Sequence, residues 1–194
     1  MKIDYSTQND RTFTADILVL PVFQAELAKV AAAWSSVDEA AGNLLSSRAQ
    51  KDAYEGKASS YLSVDTQGVN VTRVILAGMG DKGRFTSETM RRSIGRLLSS
   101  LRGQKHEHIA VALPLKSGVD DAQLARALTE GALLGTYRYD KFKSKKVALG
   151  IKRVSILGTR RAVSIAQAVE LGQIGAAAPN YARELVNEPA QTLP

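Results

Sequence analysis

Asp16-Ile17-Leu18-Val19-Leu20-Pro21-Val22-Phe23 is apolar at nearly every position. A strand with one wet face alternates. A continuous run suits a strand covered on both faces, as in the parallel sheets of α/β proteins. Outward from this run, Ala25 to Trp34 is alanine-rich. Val37 to Lys51 sets Val37, Ala40, Ala41, Leu44 and Leu45 on one helical face, so two helices are predicted between residues 25 and 51. Ser60 to Asp65 alternates as a strand does, Gln67-Gly68-Val69-Asn70 turns the chain, and Thr72 to Ala77 reads as another buried strand.

The clearest helix spans Thr86 to Leu101. Met90, Ile94, Leu97, Leu98 and Leu101 form its stripe, with Arg91, Arg92 and Arg96 off it. Thr86 or Ser87 caps its start, and Gly103 follows its end. Ile109 to Leu113 is a strand closed by Pro114. Asp120 and Asp121 open a helix that runs to about Tyr137, where anions suit the dipole. Gly131 and Gly135 lie one turn apart on it and would permit a close approach to the sheet. Arg153 to Leu157 is a strand, and a last helix starts near Ala162 and heads for Leu185. Pro179 inside that helix predicts a kink or a break, since proline removes one hydrogen bond and crowds the preceding turn. Strands alternating with helices predict an α/β fold in three layers: a mixed, mostly parallel sheet flanked by helices, with right-handed crossovers.

The chain has 194 residues, 44% hydrophobic and 23% charged, which is ordinary for a globular domain. It has no cysteine, which excludes disulfides and thiolate metal sites. Met1-Lys2-Ile3-Asp4 does not start a signal peptide, and no apolar run reaches the length of a membrane helix. A soluble, cytoplasmic chain without membrane contact is the expectation. The net charge of +7 suits nucleic acid, an anionic membrane or an acidic partner, and equally suits plain solubility, the more so in a fragment whose other half is acidic.

Near the end, Leu185 and Val186 are followed by Asn187, Pro189 and Pro194. Such a helix stop reads as the lead-in to a second domain. The residues Ala182-Arg183-Glu184-Leu185-Val186-Asn187-Glu188-Pro189 resemble the Ala-Arg-Asp-Leu-Val-Asn-x-Pro junction of the leucine aminopeptidase (cytosol aminopeptidase) family. Gly131 to Lys146, with Tyr137, Tyr139, Asp140, Phe142 and Lys143, resembles that family's Gly-x-x-Leu-x-x-Tyr-x-Phe-Asp-x-Tyr-Lys run. Val74-Ile75-Leu76-Ala77-Gly78-Met79-Gly80 resembles its strand ending in Gly-x-Gly.

The resemblance covers most of the chain and only the amino-terminal part of the family. It implies a macrodomain-like sheet over residues 1–160 and a linker helix over 161–194, leading to a catalytic domain. In that family the catalytic domain carries two divalent metal ions, zinc or manganese, and releases N-terminal amino acids from peptides. Its Asn-Thr-Asp-Ala-Glu-Gly-Arg signature is not found in the chain, so no catalytic, cofactor-binding or metal-ligating residue is assigned. The chain by itself is expected to be inactive. Its expected partner is its own carboxy-terminal domain, in a parent that is a homohexamer.

Three further patterns compete with this reading. Gly78-Met79-Gly80-Asp81-Lys82-Gly83 satisfies G-x-G-x-x-G between a strand and a helix, the setting in which amides grip a pyrophosphate. The following strand ends in Pro114, Leu115 and Lys116 where a ribose would need an acid, so a tight strand-to-helix turn is the plainer reading. Macrodomain kinship also raises ADP-ribose, but Pro21-Val22-Phe23-Gln24 lacks the asparagines that such binders show. His106-Glu107-His108 puts two imidazoles on one strand face without further ligands, and reads as a surface loop. Arg138, Lys141, Lys143, Lys145 and Lys146 interleave with Tyr139 and Phe142, as in nucleic-acid binders. The plainer reading is a solvated loop with its aromatics tucked into the core. The paired acids Asp38/Glu39 and Asp120/Asp121 read as helix caps.

Overall fold

The computed structural model describes residues 1–7, 13–24, 35–67, 70–144, 150–158 and 163–189. The helix expected over Ala25–Trp34 lies outside them, as do Gly68 and Val69 of the expected turn and the start of the last helix at Ala162. The strands are β1 (Lys2–Ser6), β2 (Ala15–Phe23), β3 (Tyr61–Asp65), β4 (Val71–Gly80), β5 (His108–Ala112) and β6 (Arg153–Leu157). They form one sheet in the order β1-β6-β5-β2-β4-β3. All pairs are parallel except the β3–β4 hairpin. The mixed, mostly parallel α/β sandwich predicted from the alternation of elements is the fold observed.

β2 sits between β4 and β5, and both faces of its run are buried. Ile17 and Val19 point into one core with Ile75, Ala77, Ile109, Val111, Val154 and Ile156. Leu18, Leu20 and Val22 point into the other with Val74, Leu76 and Leu62. The first core is roofed by α2 (Ser87–Ser100), α3 (Asp121–Thr136) and α4 (Val163–Asn187). The second is covered in part by helical residues 35–40 and by α1 (Leu44–Lys51), through Val37, Leu45 and Ala49. β1 was not anticipated, because Ile3 is its only buried residue and the rest of the strand is polar.

The stretch from Val37 to Lys51 is two helical segments rather than one. Gly42 and Asn43 both take left-handed backbone angles (φ 67° and 59°), which breaks the ladder. The carboxylate of Asp38 accepts the amides of Leu45 (2.8 Å) and Ser46 (3.3 Å), so it caps the second segment from the first. Asp120 does the same for α3, accepting the amides of Ala122 and Gln123. Thr86 caps α2 through the amide of Thr89.

Gly131 and Gly135 face α2, not the sheet. A Cβ on Gly135 would lie 2.2 Å from the carbonyl oxygen of Gly95, and one on Gly131 would lie 2.4 Å from that of Arg91. Helix periodicity marks a face for close approach but does not say what approaches it. On its other side α3 also meets α4 closely, though less tightly. A Cβ on Gly172 would lie 2.9 Å from the Arg126 carbonyl oxygen and 2.8 Å from the Thr129 Cβ. α4 runs without a break through Pro179, contrary to the break considered from sequence.

Gly135→Ala should therefore lower stability by about 1–3 kcal/mol, since the obstacle is backbone. Gly175→Ala meets only the movable Glu130 carboxylate at 3.3 Å. Its helix-propensity gain of about 1 kcal/mol should leave stability unchanged or raised. Denaturant unfolding of both variants checks this; equal losses would contradict the close α2–α3 contact.

Candidate functional site

In parallel α/β sheets ligands gather at the carboxyl ends of the strands. The glycine run Gly78–Gly83 lies at that end of β4, but its glycine amides are engaged by the protein. Gly78 N–H donates to Ser60 O (2.8 Å), Gly80 N–H to Gly56 O (3.0 Å) and Gly83 N–H to the Asp81 carboxylate (2.7 Å). A Cβ on Gly78 would lie 2.1 Å from the Lys57 carbonyl oxygen. The glycines thus admit the backbone of residues 56–60, and the positive φ of Gly80 (75°) closes the turn. Phe23 stacks edge-on against Phe85 at 5.0 Å above it, with Lys82 Nζ 5.5 Å from the Phe23 ring.

The basic run proves to be tied down wherever it is described. Arg138 pairs with Asp140 (2.7 Å), and Lys143 reaches the same carboxylate (3.4 Å). Lys141 pairs with Glu188 (2.7 Å), whose side chain is only 8% exposed, and this contact raises the lysine's pKa. Lys145 and Lys146 lie outside the described residues. Phe142 is exposed rather than tucked into the core, with Lys141 Nζ 5.7 Å from its ring. Tyr137 lies under the Arg183 guanidinium at 5.8 Å. These contacts join the loop after α3 to the far end of α4.

His108 opens β5, while His106 precedes the strand. His108 belongs to a network that sequence reasoning missed. Ser155 Oγ donates to Asp4 Oδ1 (2.6 Å) and lies 2.9 Å from His108 Nε2. The hydroxyl proton goes to the carboxylate, so the imidazole donates through Nε2. Burial, then the nearby Arg153 charge, hold His108 below its ordinary pKa; Asp4 and Asp16 partly oppose them. The Phe13 ring covers the imidazole edge-on at 5.3 Å.

A Ser-His-Asp nucleophile needs the carboxylate on the imidazole and the imidazole as acceptor. Here the carboxylate holds the hydroxyl, and Ser155 is wholly buried in mid-strand, so the network is structural. The Asp16 carboxylate accepts the amides of Glu107 (2.6 Å) and His108 (2.9 Å), and the His108 bond leads in lowering its pKa. An open cleft of about 390 Å³ lies beside it, lined by Thr14, Asp16, Thr66, Asn70, Thr72 and His108. It sits at the amino ends of β2, β4 and β5, away from the usual ligand edge. Among the described residues no three His, Asp or Glu side chains gather as a metal site would require. No described helix is long and apolar enough to cross a membrane.

The geometry thus defines an α/β domain whose last helix packs along α3. The chain belongs to the cytosol aminopeptidase family: residues 19–146 match the model of that family's N-terminal domain. It is 37% identical over 145 residues to a probable cytosol aminopeptidase of Aquifex aeolicus (strain VF5), covering 75% of this chain and 29% of the relative. It is 28% identical over 197 residues to one from Geobacter sp. (strain M21), covering 100% and 39%. A mutant of tomato leucine aminopeptidase shares the fold over 100% of this chain and 39% of its own, with a TM-score of 0.87 at 20% identity. The bottromycin maturation enzyme BotP matches with a TM-score of 0.69 at 25% identity, over 92% and 34%. The chain therefore spans 29% to 39% of the length of these curated relatives.

The unfolded chain protonates His108 near pH 6.5, before the folded chain does. Stability is therefore full above about pH 6.5 and is lost as pH falls through the lower folded value. His108→Gln should flatten the pH dependence of unfolding between about pH 7 and pH 5 relative to the parent. An unchanged slope in urea melts would show that the imidazole is not held neutral.

Proposed function

We propose that the chain is the non-catalytic amino-terminal domain of a leucyl aminopeptidase-like metallopeptidase, a hydrolase releasing N-terminal amino acids from peptides. The observation that carries the reading is the match of residues 19–146 to the N-terminal domain of the cytosol aminopeptidase family. The names of the relatives support the activity of the parent and a cytosolic setting. A structural neighbour described as BotP in complex with Mn supports a divalent metal in the parent, zinc or manganese.

The described residues do not fit such a metal, because they bring no three ligands together. On this reading the metals and the reacting groups belong to the part of the polypeptide that the relatives carry beyond this domain. The domain's partner is that carboxy-terminal part, within a homohexameric parent, and its own work is to hold and orient. The ion pairs of Arg138, Lys141 and Lys143 favour this role for the basic run over binding of nucleic acid.

The purified chain, assayed with L-leucine amide and Mn²⁺ or Zn²⁺, should release no leucine above the metal-only blank. Metal-dependent release that follows the protein through purification would overturn the reading.

A further inference from the structure

α4 changes character halfway along. Its first half buries Ile165, Ala168, Val169, Gly172 and Ala176 against the domain. After Ala176 no residue of the helix is buried. In that second half the side facing α3 is polar. Asn180 Nδ2 donates to the Leu133 carbonyl and Arg183 Nη1 to that of Leu134, both at 3.2 Å. These are carbonyls of the last turn of α3, which need partners from outside their helix.

Val186 (85% exposed) apart, the exposed apolar residues of this stretch face the other way. Leu171 (52% exposed), Ile174 (69%), Ala178, Tyr181 (63%) and Leu185 (39%) recur at alternating spacings of three and four. On a helix they fall within an arc of roughly 80°. A seam with that spacing is what a facing element packs against. An exposed three-turn helix with little packing is marginal by itself. The Lys141–Glu188 pair holds its far end in place.

We infer that the outward stripe Leu171–Ile174–Ala178–Tyr181–Leu185 is the seat of the carboxy-terminal catalytic lobe. The inference rests on the proposed function and adds the residues of the interface. The relatives' chains are more than twice the matched length, and the matched part is their N-terminal domain. The tomato enzyme keeps the fold over the whole of this chain, α4 included, and this match takes up 39% of its own polypeptide. The occupant is therefore a lobe joined directly to the end of α4, with an apolar surface that meets the stripe.

The test joins this whole chain to the remainder of the Aquifex aeolicus relative, in place of that relative's own matched part. Ile174→Glu with Tyr181→Glu disrupts the stripe, and the milder Ile174→Ser with Tyr181→Ser repeats the test. Ala166→Glu, exposed off the stripe, is the control. Circular dichroism of the chain alone should be the same for all variants. In the hybrid, proteolysis within residues 177–187 should be roughly tenfold slower than in the chain alone. Both stripe variants should lose that protection, and Ala166→Glu should keep it.

Equal protection in the parent hybrid and both stripe variants would overturn the seat while leaving the proposed function standing. An unprotected hybrid that still hydrolyses L-leucine amide would do the same. An unprotected hybrid without activity would sink both. A dimer of the chain alone, abolished by Ile174→Glu in sedimentation, would name a second copy as occupant and also overturn the inference.

Discussion

α3 is held close on both flanks, and the placement of the helices over the first core follows from that. Gly95, Gly131 and Gly135 let α2 and α3 meet backbone to backbone, and Gly172 lets α4 settle against Thr129 and the Arg126 carbonyl on the opposite side. Ion pairs of Arg91 and Arg126 with Glu130 rim these contacts at 2.9 Å. Glu130 is 12% exposed there, while Arg91 and Arg126 keep 37% and 52% of their side chains in solvent, which partly screens the pairs. Once α3 is fixed, the direction of α4 is fixed, and with it the direction in which its apolar stripe points.

Much of the layered architecture is written locally. The unbroken apolar runs of β2 and β4, the stripe of α2 and the carboxylate at the start of α3 each carry their meaning within a dozen residues. β1 is different: its sequence Lys2-Ile3-Asp4-Tyr5-Ser6 has one buried side chain, and its place comes from pairing with β6 at the other end of the domain. The same separation hid Asp4 and Ser155 from each other. Gly131 and Gly135 signalled a close approach, but a helix face is periodic whether a sheet or another helix lies against it. The G-x-G-x-x-G pattern was legible as a turn. Only the structure shows that residues 56–60 fill the space a ligand would need. At the junction the sequence announced an apolar pair, Leu185 and Val186, whereas the longer stripe appears only when the buried and exposed faces of α4 are separated.

Several described polar groups hold the elements of the domain together. Asp38, Asp120 and Thr86 cap helices, and Asp16 anchors the start of β5. Asp4, Ser155 and His108 stitch three strands, while Lys141 of the basic run pairs with Glu188 at the end of α4. The least satisfied surface is the apolar side of that helix, which the domain leaves uncovered.

Residue-resolved amide exchange along α4 of the chain in isolation tests this division most directly. The account predicts strong protection for residues 163–176, packed on α3, and a sharp fall beyond Ala176. Protection that continues undiminished through Asn187 would contradict it, because the second half of the helix would then need no partner.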